Sequence, residues 1–325
     1  MAIEVISIGS SSSGNSYLIM AGRYTILLDV GLTAKRIVGA LDKFNIDPEQ
    51  VDAVLVTHEH IDHVRSVRAI GRKCCNAMFV ASRGTAEHTE NFKYIPEERL
   101  RMVEAGDTIE LRVGHRVDYG GESADSDINN SDNCNNITIK AFPISHDASE
   151  PLSYTIEYGG EKLAIVTDTG IVTDSIYYAI RDADTLVLES NHDEDLLMFG
   201  EYPYSLKMRI KGEYGHLSNR YAGEILAKLL QDRASSGDAD KNSLGSLNMP
   251  ETKQGLRPAF AQANVTDINY ASSPLRIMLA HLSFHNNAPF YARTTIEQIL
   301  KESGFEKGRD YTLTIAAKDE ITIFN

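Results

Sequence analysis

The sequence predicts a mixed α/β fold around a substantial core, and three observations carry that expectation. Short apolar or β-branched segments alternate with helix-type periodicity along most of the 325 residues. Metal-capable side chains stand where several of those segments end. Two polar stretches interrupt the pattern, and it resumes after each. Residues 1–325 therefore read as a single domain with surface insertions at about 120–136 and 234–269.

Strand-type segments open the chain at 3–8, 16–21 and 24–30. A helix is expected over 33–44, because Ile37, Leu41 and Phe44 fall on one face. The apolar strand 53–57 runs directly into His58, which puts a histidine cluster in the loop after a rigid element. Further strands are expected at 77–81, 137–142, 153–158, 162–167 and 185–189, with helical candidates between several of them. The tail 311–324 reads as a hairpin, and no repeat of fixed period is visible. The Ser10–Ser13 run precedes Gly14 without the GxxxxGK pattern, so it reads as a turn rather than a phosphate loop.

Composition narrows the function classes. Cys74, Cys75 and Cys134 are odd in number and two are adjacent, which argues against a disulfide framework or a CxxC metal site and for a reducing compartment. The first residues lack a basic segment followed by an apolar one, and no stretch is long enough to cross a bilayer, so a soluble cytoplasmic protein without a membrane partner is expected. Thirty-two Lys and Arg against 46 Asp and Glu give a net charge of −14, which opposes broad nucleic-acid binding. A local site escapes that argument, since bound divalent ions carry the largest charges where the chemistry happens.

The decisive stretch is Thr57-His58-Glu59-His60-Ile61-Asp62-His63: three imidazoles and a carboxylate within six residues. Zinc and related ions take such nitrogen and oxygen donors. Alternate residues His58 and His60 suit one metal, while Asp62 and His63 turn toward a second. His146, Asp168 and His281 each follow the end of an apolar strand. Taken singly, such residues are more often turn, cap or satisfied polar positions. Taken together they complete a ligand set.

This order of motifs, an HxHxDH loop, a lone histidine, an aspartate and a final histidine, resembles the metallo-β-lactamase superfamily over nearly the whole chain. The resemblance implies an α/β fold, in the α+β sense, built as a four-layer αββα sandwich with metals at one edge of its sheets. It further implies that His58, His60 and His146 hold one divalent ion, that Asp62, His63 and His281 hold another, and that Asp168 bridges them. Zinc or manganese would serve, and iron is compatible. Two such ions share a hydroxide as nucleophile. Asp62 is then both ligand and catalytic residue. Asp29 matches an early aspartate that supports the histidine loop, although a simple turn before Gly31 is an alternative.

Gly215-His216-Leu217-Ser218-Asn219 precedes a helical pattern, so Ser218 or Asn219 is expected to cap it and His216 to lie beside free amides suited to phosphate. The segment is similar to the histidine loop of ribonuclease Z and related phosphodiesterases, which makes His216 a general acid. Glu189-Ser190-Asn191-His192-Asp193, Tyr202-Pro203 with Lys207 and Arg209, and His281-Leu282-Ser283 resemble the WalJ/YycJ group. That resemblance implies a double-stranded DNA exonuclease working from a 5′ end, with DNA as partner and His192, Ser218 and Asn219 near substrate or behind the ligands. Lys207 and Arg209 could track a nucleic-acid backbone. The chain departs from the group at His285-Asn286-Asn287, where Glu-Asn-Asn is expected. Two other readings stand beside the nuclease: a small-molecule hydrolase acting on a thioester, lactone or cyclic phosphodiester, and a metal-stabilised binding protein.

Overall fold

Residues 2–111, 136–236 and 273–324 are described in the computed structural model. The first sheet is built from β1 (Ile3–Ser11), β2 (Gly14–Ala21), β3 (Tyr24–Leu28), β4 (Ala53–Leu55), β5 (Met78–Ala81) and β6 (Leu100–Met102) in that order. The second takes β7 (Thr108–Leu111), β8 (Ile137–Pro143), β9 (Leu152–Tyr158), β10 (Glu161–Val166), β11 (Thr185–Glu189), β12 (Leu275–Ala280) and β13 (Tyr311–Ile315). The last strand, β14 (Thr322–Ile323), returns to the first sheet beside β1.

Alternation along the strands sends successive side chains to opposite faces, and this creates three apolar layers. Between the sheets lie Ile26 and Leu28 of β3 against Leu163 and Ile165 of β10, with Val187 and Met278 beside them. On the outer face of the first sheet, Leu27 packs with Ile37 and Leu41 of α1 (Ala34–Lys43), and Val67 and Ile70 join from the later of the next two helices, α2 (Ile61–Val64) and α3 (Val67–Lys73). A fourth helix, α4 (Arg83–His88), follows β5. On the outer face of the second sheet, Ala164, Val166, Leu186 and Ile277 meet Ile176 of α5 (Asp174–Ile180). Two short helices come next, α6 (Glu194–Phe199) and α7 (Tyr204–Lys211), and then α8 (Asn219–Ser236) and α9 (Pro289–Glu302), whose Leu226 and Ile296 cover the same face. The order helix, sheet, sheet, helix is the expected αββα sandwich. Each fully buried Leu or Ile contributes about 1.5–3 kcal/mol.

Three expectations shift. Strands 24–30 and 53–57 stop at Leu28 and Leu55, because Asp29 turns into the left-handed region with φ +58° and the chain leaves the sheet to form the site. The tail is not a hairpin: β13 pairs in parallel with β12, and β14 pairs antiparallel with β1 in the other sheet. This crossing buries Phe324 between the sheets, which a return along the outer edge of β13 would not. The polar stretches at 120–136 and 234–269 lie outside the described residues except at their margins, where 234–236 continue α8. Among the described residues, no helix is long and apolar enough to cross a membrane.

Candidate metal centre

The seven residues marked as metal ligands meet at the edge where strand C-termini converge. His58 follows β4, His146 follows β8, Asp168 follows β10 and His281 follows β12. Asp29, Asp168 and His281 all have positive φ, +58°, +58° and +55°. Asp and His are among the few non-glycine residues that adopt this conformation at small cost. The same turn that ends the strand thus sets the functional side chain. The histidine loop is pinned from below: Val30 N donates to His63 O at 2.9 Å, and a Cβ on Gly31 would lie 1.5 Å from the Asp62 carbonyl. Only glycine admits α2 at that height.

The donor atoms fall into neighbouring sets. Those of His58, His60 and His146 lie within 4.8 Å of one another, and so do those of Asp62, His63 and His281. Asp168 touches both sets, with Oδ2 3.3 Å from His63 Nε2 and Oδ1 3.9 Å from His146 Nε2. His60 Nδ1 and His146 Nε2 approach to 3.2 Å, two imidazole nitrogens aimed at one point. His58 Nε2, Asp168 Oδ2 and His281 Nε2 are buried without a hydrogen-bond partner. Buried polar atoms are rarely left so, and a divalent cation is the group that would satisfy all three. The donor set therefore fits divalent metal binding.

Two carboxylates hold the ligands from behind. Asp29 Oδ2 pairs with His63 Nδ1 at 2.8 Å, and its Oδ1 accepts from Thr57 N at 2.9 Å. Glu189, the last residue of β11, was not singled out from the sequence, yet its Oε1 meets His281 Nδ1 at 2.7 Å and His216 Nδ1 at 2.8 Å. Its Oε2 accepts from Thr169 N and Leu217 N, both at 3.1 Å. The signal was available, for Glu189 ends an apolar strand as Asp168 and His281 do. Of the Ser10–Ser13 run expected as a turn, only Ser12 and Ser13 turn; Ser10 and Ser11 end β1, and Ser10 braces the site, its Oγ accepting from His281 N at 2.9 Å. Asn15, also missed, places its Nδ2 3.3 Å from Asp62 Oδ2 and 3.2 Å from His63 Nε2.

Electrostatics separate the two sets. Burial, with the charge on His63, holds His58 well below the ordinary histidine range, and burial lowers His146. Burial opposes charge on His63 and His281 as well, but there the carboxylates win. Asp168, then Asp29 and Asp62, raise His63 well above its usual range; Asp168, with Asp62 and Glu189, raises His281 to about 10. Burial pushes Asp168 up, and His281 and His63 more than reverse it. Glu189 ends at about 2 because His216 and His281 outweigh its burial. The second set is thus a carboxylate-rich basin that holds positive charge, first as protons and by the same attraction as metal.

The His216 side chain is 20% exposed, with its ring centroid 5.2 Å from those of both His146 and His281. The amides expected to await phosphate beside it are already used: Leu217 N by Glu189, Asn219 N by His192 O, and Tyr221 N by the capping Ser218 Oγ. Asn219 does not cap; its amide pairs with Asn287 and accepts from Ser190 Oγ. His192 is 1% exposed, which puts it behind the opening, and burial lowers it to about 4. Lys207 donates to the Met198 and Gly200 carbonyls, and Arg209, largely exposed, pairs with Asp147. His285 is exposed, its ring 5.7 Å from Tyr202.

A family model described as the beta-lactamase superfamily domain matches residues 24–235. The chain belongs to the beta-lactamase superfamily. Within this superfamily it is similar to the exodeoxyribonuclease WalJ of Streptococcus pneumoniae, 33% identical over 226 residues that cover 70% of this chain and 76% of the relative. The exodeoxyribonuclease YycJ of Bacillus anthracis is 28% identical over 96% of this chain and 95% of its own. Among solved structures, the metallo-beta-lactamase fold protein YhfI from Bacillus subtilis aligns with a TM-score of 0.58 at 15% identity, covering 99% of each chain, and so speaks for the fold alone. Superfamily membership and the converged His and Asp donors make the chain a metal-dependent hydrolase.

Proposed function

We propose that the chain is a phosphodiesterase with two divalent ions, and that it acts as a 5′ to 3′ exonuclease on double-stranded DNA. His58, His60 and His146 would hold one ion, Asp62, His63 and His281 the other, and Asp168 would link them. Two ions in such a site, zinc or manganese with iron also compatible, ionise water near neutral pH and draw charge from the substrate's oxygens. The chain's own residues do the rest. Asp29 and Glu189 orient the ligating imidazoles, as carboxylates behind metal-bound histidines do. Asp62 would hold the second ion from the histidine loop and supply negative charge beside it.

The observation that carries the reading is His216. Glu189 holds its Nδ1 at 2.8 Å, which leaves Nε2 as the ring atom to face substrate, and the ring lies 5.2 Å from a histidine of each ligand set. A proton delivered from there to a departing sugar oxygen is general acid catalysis. The relatives named exodeoxyribonucleases favour DNA as the polymer. A single domain, with surface insertions at about 120–136 and 234–269, and a soluble cytoplasmic location go with this reading. The test is incubation of metal-loaded protein with end-labelled duplexes: nucleotides should leave from the 5′ end first. Absence of release with both zinc and manganese overturns the nuclease reading.

One observation favours a second reading. The net charge of −14 suits a small substrate, such as a thioester, a lactone or a cyclic phosphodiester. Chromogenic esters and bis-p-nitrophenyl phosphate assayed beside end-labelled duplexes separate the two, since under this alternative the small substrates turn over while the duplexes stay intact.

A further inference from the structure

Clustered aromatic rings in water usually mark a contact surface. Three residues after His281 the chain presents Phe284, 70% exposed, and then the exposed His285. Their ring centroids are 5.2 Å apart, and His285 leans on Tyr202 at 5.7 Å, from the segment joining α6 to α7. Lys318 Nζ lies over the Phe284 ring, 4.2 Å from its centroid. Nothing in the core calls for these rings.

The loop that carries them is fixed. Ser283 N donates to Asn191 O at 2.8 Å, Asn286 N to Ser283 Oγ at 3.2 Å, and Asp193 N to Asn286 O at 2.9 Å. The buried Asn287 donates to Ser190 O at 2.8 Å and Asn191 O at 3.1 Å. These partners adjoin Glu189, so the rings are tied to the segments that build the site. Three residues of chain span at most about 11 Å. A strand whose phosphodiester lies at His281 therefore reaches Phe284 within a few nucleotides.

An exposed phenyl ring with a cation over it, on an otherwise acidic protein, matches a ligand that brings both an aromatic face and a negative charge. A nucleotide has both. We infer that Phe284, backed by His285, Tyr202 and Lys318, is a stacking platform for an unpaired nucleobase flanking the bond that is cut. The platform rests on the phosphodiesterase reading and narrows it: the substrate is a strand end with an accessible base, so a duplex would have to fray there. Base stacking on aromatic side chains is sequence-tolerant, and the platform accordingly selects for a base without selecting which one.

The experiment uses the full metal-loaded chain and two single strands that differ only in whether the terminal nucleotide carries a base. Phe284→Ala should reduce the preference for the base-bearing end about tenfold, and Phe284→Trp should retain it. In parallel, a strand with non-hydrolysable end linkages and a terminal 2-aminopurine reports stacking by fluorescence quenching, independent of cleavage. Quenching by the unaltered chain that is lost in Phe284→Ala supports the platform even if no DNA is cut. An unchanged end preference, quenching that survives Phe284→Ala, or no quenching by the unaltered chain overturns it, and DNA cleavage would still stand by itself.

Discussion

The two sheets share a plan and furnish the site in opposite ways. Each begins with antiparallel neighbours, β1 to β3 in one and β7 to β10 in the other, and finishes with parallel ones. The first contributes four candidate ligands from one loop of six residues, buttressed by Asp29. The second contributes one candidate per strand end, at His146, Asp168 and His281, buttressed by Glu189. A loop brings its residues together by local geometry. Scattered strand ends meet only if the register is right: Val166 opposite Leu188, and Glu189 opposite Ala280, place Asp168, Glu189 and His281 side by side. A slip of one residue would turn each of them to the wrong face.

The largest expected effect tests whether the two contributions are equal in function. Asp168→Ala removes a carboxylate that approaches ligands of both sets, and hydrolysis should fall by at least about 10³-fold, to the level of chelator-treated protein. Elemental analysis should show weaker retention at both sets; loss at one alone would break the bridging role. Next, His216→Ala should lower kcat by about 10²- to 10⁴-fold on a diester with a sugar leaving group. The loss should be far smaller on bis-p-nitrophenyl phosphate, whose leaving group needs no proton. Equal losses on both would remove the proton-donor role.

A finer comparison sets the two buttresses against each other. Asp29→Asn and Glu189→Gln should each weaken metal binding by about 10- to 100-fold, read by competition with a chromophoric chelator. Glu189→Gln should be the more harmful to turnover, because that carboxylate holds His216 as well as His281. Thermal melts of metal-free protein from pH 4 to 10 probe the same asymmetry. His63 is raised and His281 stands at about 10, so their stabilisation is complete below the unfolded histidine value of roughly 6.5 and fades as pH climbs toward 10. His58 and His146 are lowered and His192 stands at about 4, so the unfolded chain takes those protons first and stability falls as pH drops below roughly 6.5. The Tm maximum should therefore sit near neutrality and move upward with metal, which displaces protons from its ligands. The smallest effect is at Lys207: Lys207→Met should cost about 1–2 kcal/mol in stability and leave metal affinity unchanged.

What could be read from the sequence follows the same division. His58 to His63 needed no fold to be noticed, and the strand-end positions of His146, Asp168 and His281 became meaningful once the preceding strands were recognised. Glu189 opened a segment noted only for its resemblance and was given no role of its own, because its importance comes from two imidazoles, His216 and His281, that only the fold delivers. The amides near His216 were misjudged for a related reason. Their partners, Glu189 and the His192 carbonyl, lie 28 and 27 residues earlier in the chain. The tail was mistaken for a hairpin because local pattern identifies strands and not the sheet each joins.

That crossing of the tail has a consequence for biosynthesis. Ile323 pairs with Ile6, and Ala317 O accepts from Ser10 N, the residue whose hydroxyl in turn steadies His281. The edge of β1 therefore stays uncovered until β14, far later in the chain, has been made, and contacts so distant along the chain form slowly. Hydrolytic competence arrives late and all at once, so a partly synthesised polypeptide carries the histidine loop but no functioning centre.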